Sequence, residues 1–383
     1  LMRRVISDII NESNEYEVAA IAKDGLEGLD MIVSNPYEYS AVILDINMPK
    51  LNGLELLQRL QKDHIEQTVI VVSTVAREGA KETIQALEYG AFDFVTKPEN
   101  YLETKSVEFK NRIFEMLNVA TNSKASIRRT SMSKTIAPVK KDLKSGRTLT
   151  SVIARTERTR STGITPAPVR TVHTPAKKVD GSMFTSVKTG KKKIVALACS
   201  TGGPKSLQQV IPMLPAKLDA GVVLVQHMPA GFTASLAARL NEMSDINVKE
   251  AADGDVIKKG WVYIAPGGKH IRIEKKGTDS VIKLSTEPPI EGLRPCANVM
   301  YESLTSSNYD EITCVVLTGM GADGTNGIKA LNKNHKNIYV IAQDEETSVV
   351  YGMPKAIAGT GLVNEVVPLN RVAEAITKNV GVS

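Results

Sequence analysis

Ser200 stands at the tip of an apolar run. In "IVALACSTGGPKSLQQVI" (194–211) a β-branched stretch stops at a Ser-Thr-Gly-Gly turn, and a helical pattern follows. Three chemistries fit a serine there: a nucleophile aimed into a cleft, a helix cap, or a phosphate cradle. A serine hydroxyl is a weak nucleophile without a base, and the base needs an orienting acid. Five histidines are available. His64 ends a helical pattern, His173 lies in a polar tract and His335 sits in "NKNHKN". His270 begins the strand pattern "HIRIE" and reads as structural, whereas His227 follows the buried run of "GVVLVQHMPAGF". The acid that completes such a set is Asp323, in the glycine-rich turn of "ITCVVLTGMGADGTNGIKAL". Alone, Asp323 reads as a helix N-cap or Asx turn. Together, three βα turns place Ser200, His227 and Asp323 at the C-terminal ends of parallel strands, facing one crevice. The phosphate-cradle reading lacks a G-x-G-x-x-G pattern, a P-loop Lys-Ser/Thr pair and a ribose-binding acid.

A second set lies near the N-terminus. Asp45 ends the run in "AVILDINMPKLNG", Ser73 and Thr74 end "VVST", and Thr96 and Lys97 end "FVTKP". An acid, a hydroxyl and a lysine on successive strand tips suit a phosphorylated carboxylate, with lysine neutralising the acyl phosphate and the hydroxyl binding a phosphate oxygen.

These residues require elements that hold them. Up to residue 118 helix and strand patterns alternate, with strands expected at "YEVAAIA", "YSAVILDINMP", "TVIVVST" and "DFVTKP", which implies a parallel sheet covered by helices. From 191 to 383 a second α/β domain shows seven strand patterns, among them "IVALA", "GVVLVQH" and "ITCVVLTG". Between them, 119–190 is rich in Ser, Thr, Lys, Arg and Pro and reads as a flexible basic linker. Residues 121–190 hold 15 Lys/Arg against 3 Asp/Glu, or +12, so the remainder of a chain of net charge +6 carries −6. The basic character therefore belongs to the linker and gives no ground for a nucleic-acid partner of the folded domains. Apolar residues make up 42% and aromatics 4%, with Trp261 the sole tryptophan, so the cores are aliphatic. Three cysteines, Cys199, Cys296 and Cys314, have no metal-ligand spacing and suit a reducing cytoplasm. No run approaches a membrane span, and the N-terminus reads as an amphipathic helix rather than a signal peptide.

The first set of strand tips resembles the receiver domain of two-component response regulators. The resemblance implies a doubly wound, flavodoxin-like fold with Asp45 as phospho-acceptor, Ser73 as switch hydroxyl and Lys97 as phosphate-sensing lysine. Receivers open with a strand ending in two acids that hold Mg²⁺; Leu1 matches a position just past them, so the first strand is missing from the pattern. Neither Asp8 nor Asp24 sits at a strand tip to replace those acids. The second domain, through "STGGP", "QHMP", "YIAPGGKH", "RPCANVMYESL", "VLTGMGADG" and "QDEETSVVYGMP", resembles the catalytic domain of the chemotaxis protein-glutamate methylesterase family, CheB.

That resemblance implies a Rossmann-like parallel sheet and cofactor-free hydrolysis of glutamate γ-methyl esters, with deamidation of glutamine, on methyl-accepting chemotaxis receptors in the cytoplasm. Ser200 would be nucleophile, His227 general base and acid, and Asp323 orienter. The N–H groups of Thr201 and Met320 would form the oxyanion hole. A chemotaxis histidine kinase would supply phosphate to Asp45, and the receiver would occlude the Ser200 crevice until phosphorylated. Arg294 is a candidate for binding receptor carboxylates. Gly202, Gly203, Gly319 and Gly321 would let backbone approach the substrate. Cys199, where the family usually has Ala, reads as a buried small hydrophobe. The reading from a different class is a non-catalytic regulatory binding module.

Overall fold

The computed structural model describes residues 2–98, 106–122 and 190–383. Most of the expected linker lies outside the described residues. The preceding helix continues to Thr121, past the boundary expected at 118.

The N-terminal domain is built from α1 (Met2–Asn11), α2 (Gly25–Ser34), β1 (Val42–Asp45), α3 (Gly53–Lys62), β2 (Val69–Ser73), α4 (Arg77–Glu88), β3 (Asp93–Thr96) and α5 (Val107–Thr121). Its strands form a parallel sheet in the order β1-β2-β3. Strand β2 is buried on both faces, as its unbroken Val/Ile run requires. Ile70 and Val72 face α1 and α5, while Val69 and Val71 face α3 and α4. The strand expected at "YEVAAIA" is coil. A strand exists through the ladder of a neighbour, and β1, the edge strand, pairs with β2 alone. A cavity of about 630 Å³ separates β1 from this coil and α1.

The C-terminal domain carries a seven-stranded parallel sheet in the order β12-β11-β10-β4-β5-β7-β6, in which β7 is Trp261–Ile264 and β11 is Ile338–Gln343. The strands that concern the site are β4 (Lys193–Cys199), β5 (Gly221–Gln226) and β10 (Glu311–Val316), with β4 between the other two. Two short strands escaped the sequence patterns: β6 (Asn247–Glu250) and β12 (Glu365–Val367), at the two sheet edges. A separate antiparallel hairpin joins β8 (His270–Lys276) to β9 (Asp279–Ser285).

Along β4 the side chains alternate. Val195, Leu197 and Cys199 meet α6 (Gly203–Val210) and α7 (Phe232–Met243) on one face. Ile194, Ala196 and Ala198 meet α8 (Ala297–Ser303) and α9 (Thr325–Lys333) on the other. Residues 194–199 are fully buried, so the first place β4 can present chemistry is Ser200.

The two domains share a core. Ala80, Ile84 and Leu87 of α4 join Phe232 and Leu236 of α7 in one buried cluster. Phe94 stacks on Phe232 with ring centroids 4.7 Å apart, and Arg239 reaches both oxygens of Glu88 at 2.7 and 3.2 Å.

Candidate active site

Strands β4, β5 and β10 end side by side, and the turns after them carry Ser200, His227 and Asp323. The Ser200 turn is tied to the end of β10: Ser200 N–H donates to the Thr318 carbonyl at 3.0 Å, and the Thr318 hydroxyl donates to the Thr201 carbonyl at 3.0 Å. Gly319 makes this approach possible, since a Cβ there would lie 2.8 Å from Ser200 Cβ and 2.4 Å from the Met353 sulfur. Gly202 and Gly321 take positive φ, 75° and 79°. A Cβ at Gly203 would likewise meet the protein's own groups, Gln226 and Cys199.

His227 and Asp323 meet at 2.7 Å through Nε2 and Oδ2, with side-chain exposures of 10% and 3%. Burial acts to raise the Asp323 pKa. The His227 ring and the N–H groups of Ala297 and Asn298 outweigh it and hold the carboxyl at about 2. Asp323 is thus an anion, and the proton between the pair resides on Nε2. That leaves Nδ1 as the nitrogen able to take a proton. Among the described residues no hydrogen bond joins Ser200 to His227, so the base and nucleophile are adjacent without being engaged.

Asp323 is held by donors that sequence reading missed. Ala297 N–H donates to Oδ2 at 2.6 Å, while Asn298 N–H, Gly324 N–H and the Cys296 thiol reach Oδ1 at 2.9, 2.8 and 3.2 Å. Burial and the Asp323 charge push the Cys296 thiol up to about 12, so it is a neutral donor. All of these partners lie within the quoted "RPCANVMYESL" and "ADG" stretches, but nothing in their types announces a carboxylate partner.

The N–H groups of Thr201 and Met320 have no protein acceptor among the described residues, as an oxyanion site requires. The next N–H along, that of Gly202, is occupied by Asp93 Oδ2 of the N-terminal domain at 3.3 Å. Cys199 is fully buried and its thiol pKa is raised by burial, so it is no second nucleophile. Its sulfur is also 3.1 Å from Gln226 Oε1, so it acts as a donor as well as a small hydrophobe. Arg294 Nη1 is committed to the carbonyls of Thr286 and Glu287. His270 is fully buried and bonded to the Pro288 carbonyl.

In the N-terminal domain Lys97 Nζ lies 2.7 Å from both oxygens of Asp45. Ser73 is turned away from this pair. It donates to the Gly79 carbonyl and accepts from Thr83, both on α4. A Mg²⁺ ion beside Asp45 would need several carboxylate oxygens in one place. Asp24 instead caps α2 and pairs with Lys50 at 2.6 Å. Among the described residues no group of three His, Cys, Asp or Glu side chains could hold a metal. The described residues around Asp45 do not fit a Mg²⁺ ion. No described helix is long and apolar enough to cross a membrane.

The model of the CheB methylesterase family matches residues 195–376, and that of the response regulator receiver domain matches residues 1–106. The protein-glutamate methylesterase/protein-glutamine glutaminase of Oceanobacillus iheyensis is 35% identical over 378 residues, which is 98% of this chain and 95% of that protein. The protein of the same name from Pyrococcus horikoshii is 38% identical over 379 residues, covering 99% of this chain and 90% of that one. Among solved structures, the Thermotoga maritima CheB methylesterase catalytic domain is 40% identical. It covers 49% of this chain and 99% of its own, with a TM-score of 0.47. The chain belongs to the protein-glutamate methylesterase/protein-glutamine glutaminase family, with a response regulator receiver ahead of its catalytic domain.

Proposed function

We propose that Ser200, His227 and Asp323 act as a catalytic triad on glutamate γ-methyl esters, and on glutamine side chains, of chemotaxis receptors in the cytoplasm. The observation that carries this reading is the buried 2.7 Å pair of His227 and an ionised Asp323 beside the Ser200 turn. His227 Nδ1 takes the Ser200 proton as Oγ bonds to the ester carbon. The carbonyl electrons move onto oxygen, where the free Thr201 and Met320 N–H groups receive them. Collapse breaks the bond to methoxide, which leaves as methanol with the proton from His227. Water then attacks the acyl-enzyme by the same path, returning Ser200 and a glutamate carboxyl. With glutamine the leaving group is ammonia. Each oxyanion donor is worth about 10²- to 10³-fold in rate.

The receiver acts as regulator in this reading. Asp45 is the phospho-acceptor from a histidine kinase, and Lys97, already bonded to both its oxygens, is the cation that meets the new phosphoryl group. The docked receiver restrains the Ser200 and His227 turns through α6 and α7.

The test is methanol release from methylated chemoreceptor membranes by the full chain and by Ser200→Ala. A fall of about 10⁴-fold or more is expected for loss of a triad nucleophile. Equal release from both proteins, with the variant folded, would leave the binding-module reading in its place.

A further inference from the structure

Strands β4 and β5 run in register as far as Cys199 and Gln226. The His227 N–H donates to the Cys199 carbonyl at 3.2 Å as the final rung of the ladder. Beyond it the two chains part, one into the Ser200 turn and the other past His227. The side chain of Gln226 bridges this parting. Its Nε2 donates to the Ser200 carbonyl at 3.1 Å and to the His227 carbonyl at 2.9 Å. Its Oε1 lies 3.1 Å from the Cys199 sulfur and accepts the thiol proton. Gln226 is 2% exposed, and its bond from the Cys199 thiol is buried while the two to the carbonyls are half-buried.

A second feature shows that the fold makes room for this amide. Gly203 opens α6 directly against it. A Cβ at 203 would stand 2.0 Å from Gln226 Oε1 and 3.1 Å from the Cys199 sulfur. The glycine is there for space rather than for a left-handed backbone, since its φ is not positive.

We propose that Gln226 is a positioning residue for the hydrolysis, its carboxamide setting the separation of the Ser200 nucleophile and the His227 base. The inference rests on the triad reading above. Both carbonyls carry partial negative charge and are drawn to the same NH₂ group. The Ser200 carbonyl already accepts the Gly203 N–H at 2.7 Å, so the amide takes its second lone pair and completes the turn. Without the amide nothing joins the two turns at this point, and the half-buried carbonyls drift apart in search of donors. Proton transfer between Ser200 and His227 is sensitive to such drift, because a misplacement of about 1 Å costs about 10²-fold in rate.

The experiment uses the full chain carrying Gln226→Met, which keeps length and bulk and loses the donors. Methanol release from methylated chemoreceptor membranes is measured well below the melting temperature, beside the rate at which a small fluorophosphonate labels Ser200. The expected result is a kcat about 30- to 100-fold lower with KM within about two-fold. Fluorophosphonate labelling falls by a similar factor, because it needs the Ser200–His227 pair but not the receptor. Gly203→Ala displaces the amide by its Cβ while leaving Gln226 in the chain, and it is expected to reproduce the loss if Gln226→Met fails to fold. A folded variant with a lower melting temperature but kcat and labelling within about three-fold of the parent would make Gln226 a stability element and overturn the proposal. Ser200→Ala separates the two levels: loss of release there beside an unaffected Gln226→Met overturns the positioning role alone. Release that persists in Ser200→Ala overturns the triad and the positioning role together.

Discussion

At Asp323 two opposing effects meet in one side chain. Burial disfavours its charge, while a histidine ring and several converging donors favour it, and the donors win, with a pKa of about 2. The folded-state pKa is depressed below the ordinary 3.8. The stabilisation is therefore fully present above about pH 4 and is lost as pH falls through 2, and it amounts to about 2 kcal/mol. Asp323→Asn removes the titration and leaves His227 facing an amide, which can hold the ring in the wrong tautomer. The expected outcome is a kcat lower by about 10⁴-fold and a stability curve that flattens between pH 4 and 2, measured by methanol release and by denaturant melts across that range. Unchanged turnover in Asp323→Asn would show that the carboxylate does not orient the base. The positions of Ser200 and His227 were legible from the apolar runs directly before them, and that of Asp323 from the glycine-rich turn after one. The donors around Asp323 were not, because a backbone N–H or a thiol leaves no mark in residue type.

Helix α8 and the turn into α9 hold one another as elements. Asp323 accepts from the first N–H groups of α8, and Asn298 of α8 returns the favour by accepting the Gly324 and Gly327 N–H groups at 3.0 and 2.8 Å. The start of α9 is thus capped by a residue 26 and 29 positions away rather than by its own N-cap, Gly324, which has no side chain to offer. Asn298→Ala strands the Gly327 N–H and leaves the Gly324 N–H to Asp323 Oδ1 alone, and its expected cost is about 1–3 kcal/mol, read as a lower urea midpoint. Asn298→Asp keeps the acceptor but sets a second carboxylate beside the Asp323 anion, so it is expected to recover only part of the loss. A midpoint unmoved by Asn298→Ala would mean that water satisfies the turn. At this scale most helices and strands were legible from periodicity alone. Besides the short edge strands β6 and β12, the exception is residues 16–22, which found no neighbouring strand, and without a ladder the segment is coil.

Across the whole molecule, and among the described residues, the receiver touches the catalytic domain through apolar packing, the Glu88–Arg239 ion pair and the buried acid Asp93. Asp93 lies in the interface with Oδ2 on the Gly202 N–H and Oδ1 on the Phe94 N–H, and burial raises its pKa to about 6. Glu88 and Arg239, charged groups of the same interface, are paired with each other. Here the docked-state pKa stands above the ordinary 3.8, so ionisation opposes docking. The favourable contribution is whole below about pH 4 and disappears as pH rises through 6, a change of about 3 kcal/mol at most. Asp93→Asn keeps an acceptor for Gly202 without the charge. Its interface is expected to exchange amide hydrogens more slowly than the parent's at pH 7.5 and equally at pH 4. The variant's basal methanol release at pH 7.5 is expected to be lower. Identical exchange at pH 7.5 would show that Asp93 does not govern docking.

The sequence by itself determined what is local: two α/β domains, their strand tips, and the residue types at those tips, because burial period and turn chemistry act over a few neighbours. Tertiary structure decided what depends on convergence. His227 and Asp323 are 96 residues apart, and Asp93 and Gly202 are 109 apart. Their contacts exist because the sheet order puts β10, β4 and β5 side by side, and because α4 shares a core with α7. The direction of a side chain such as Ser73, or the amide of Gln226 laid across two strand ends, follows from that packing and from no periodicity in the chain.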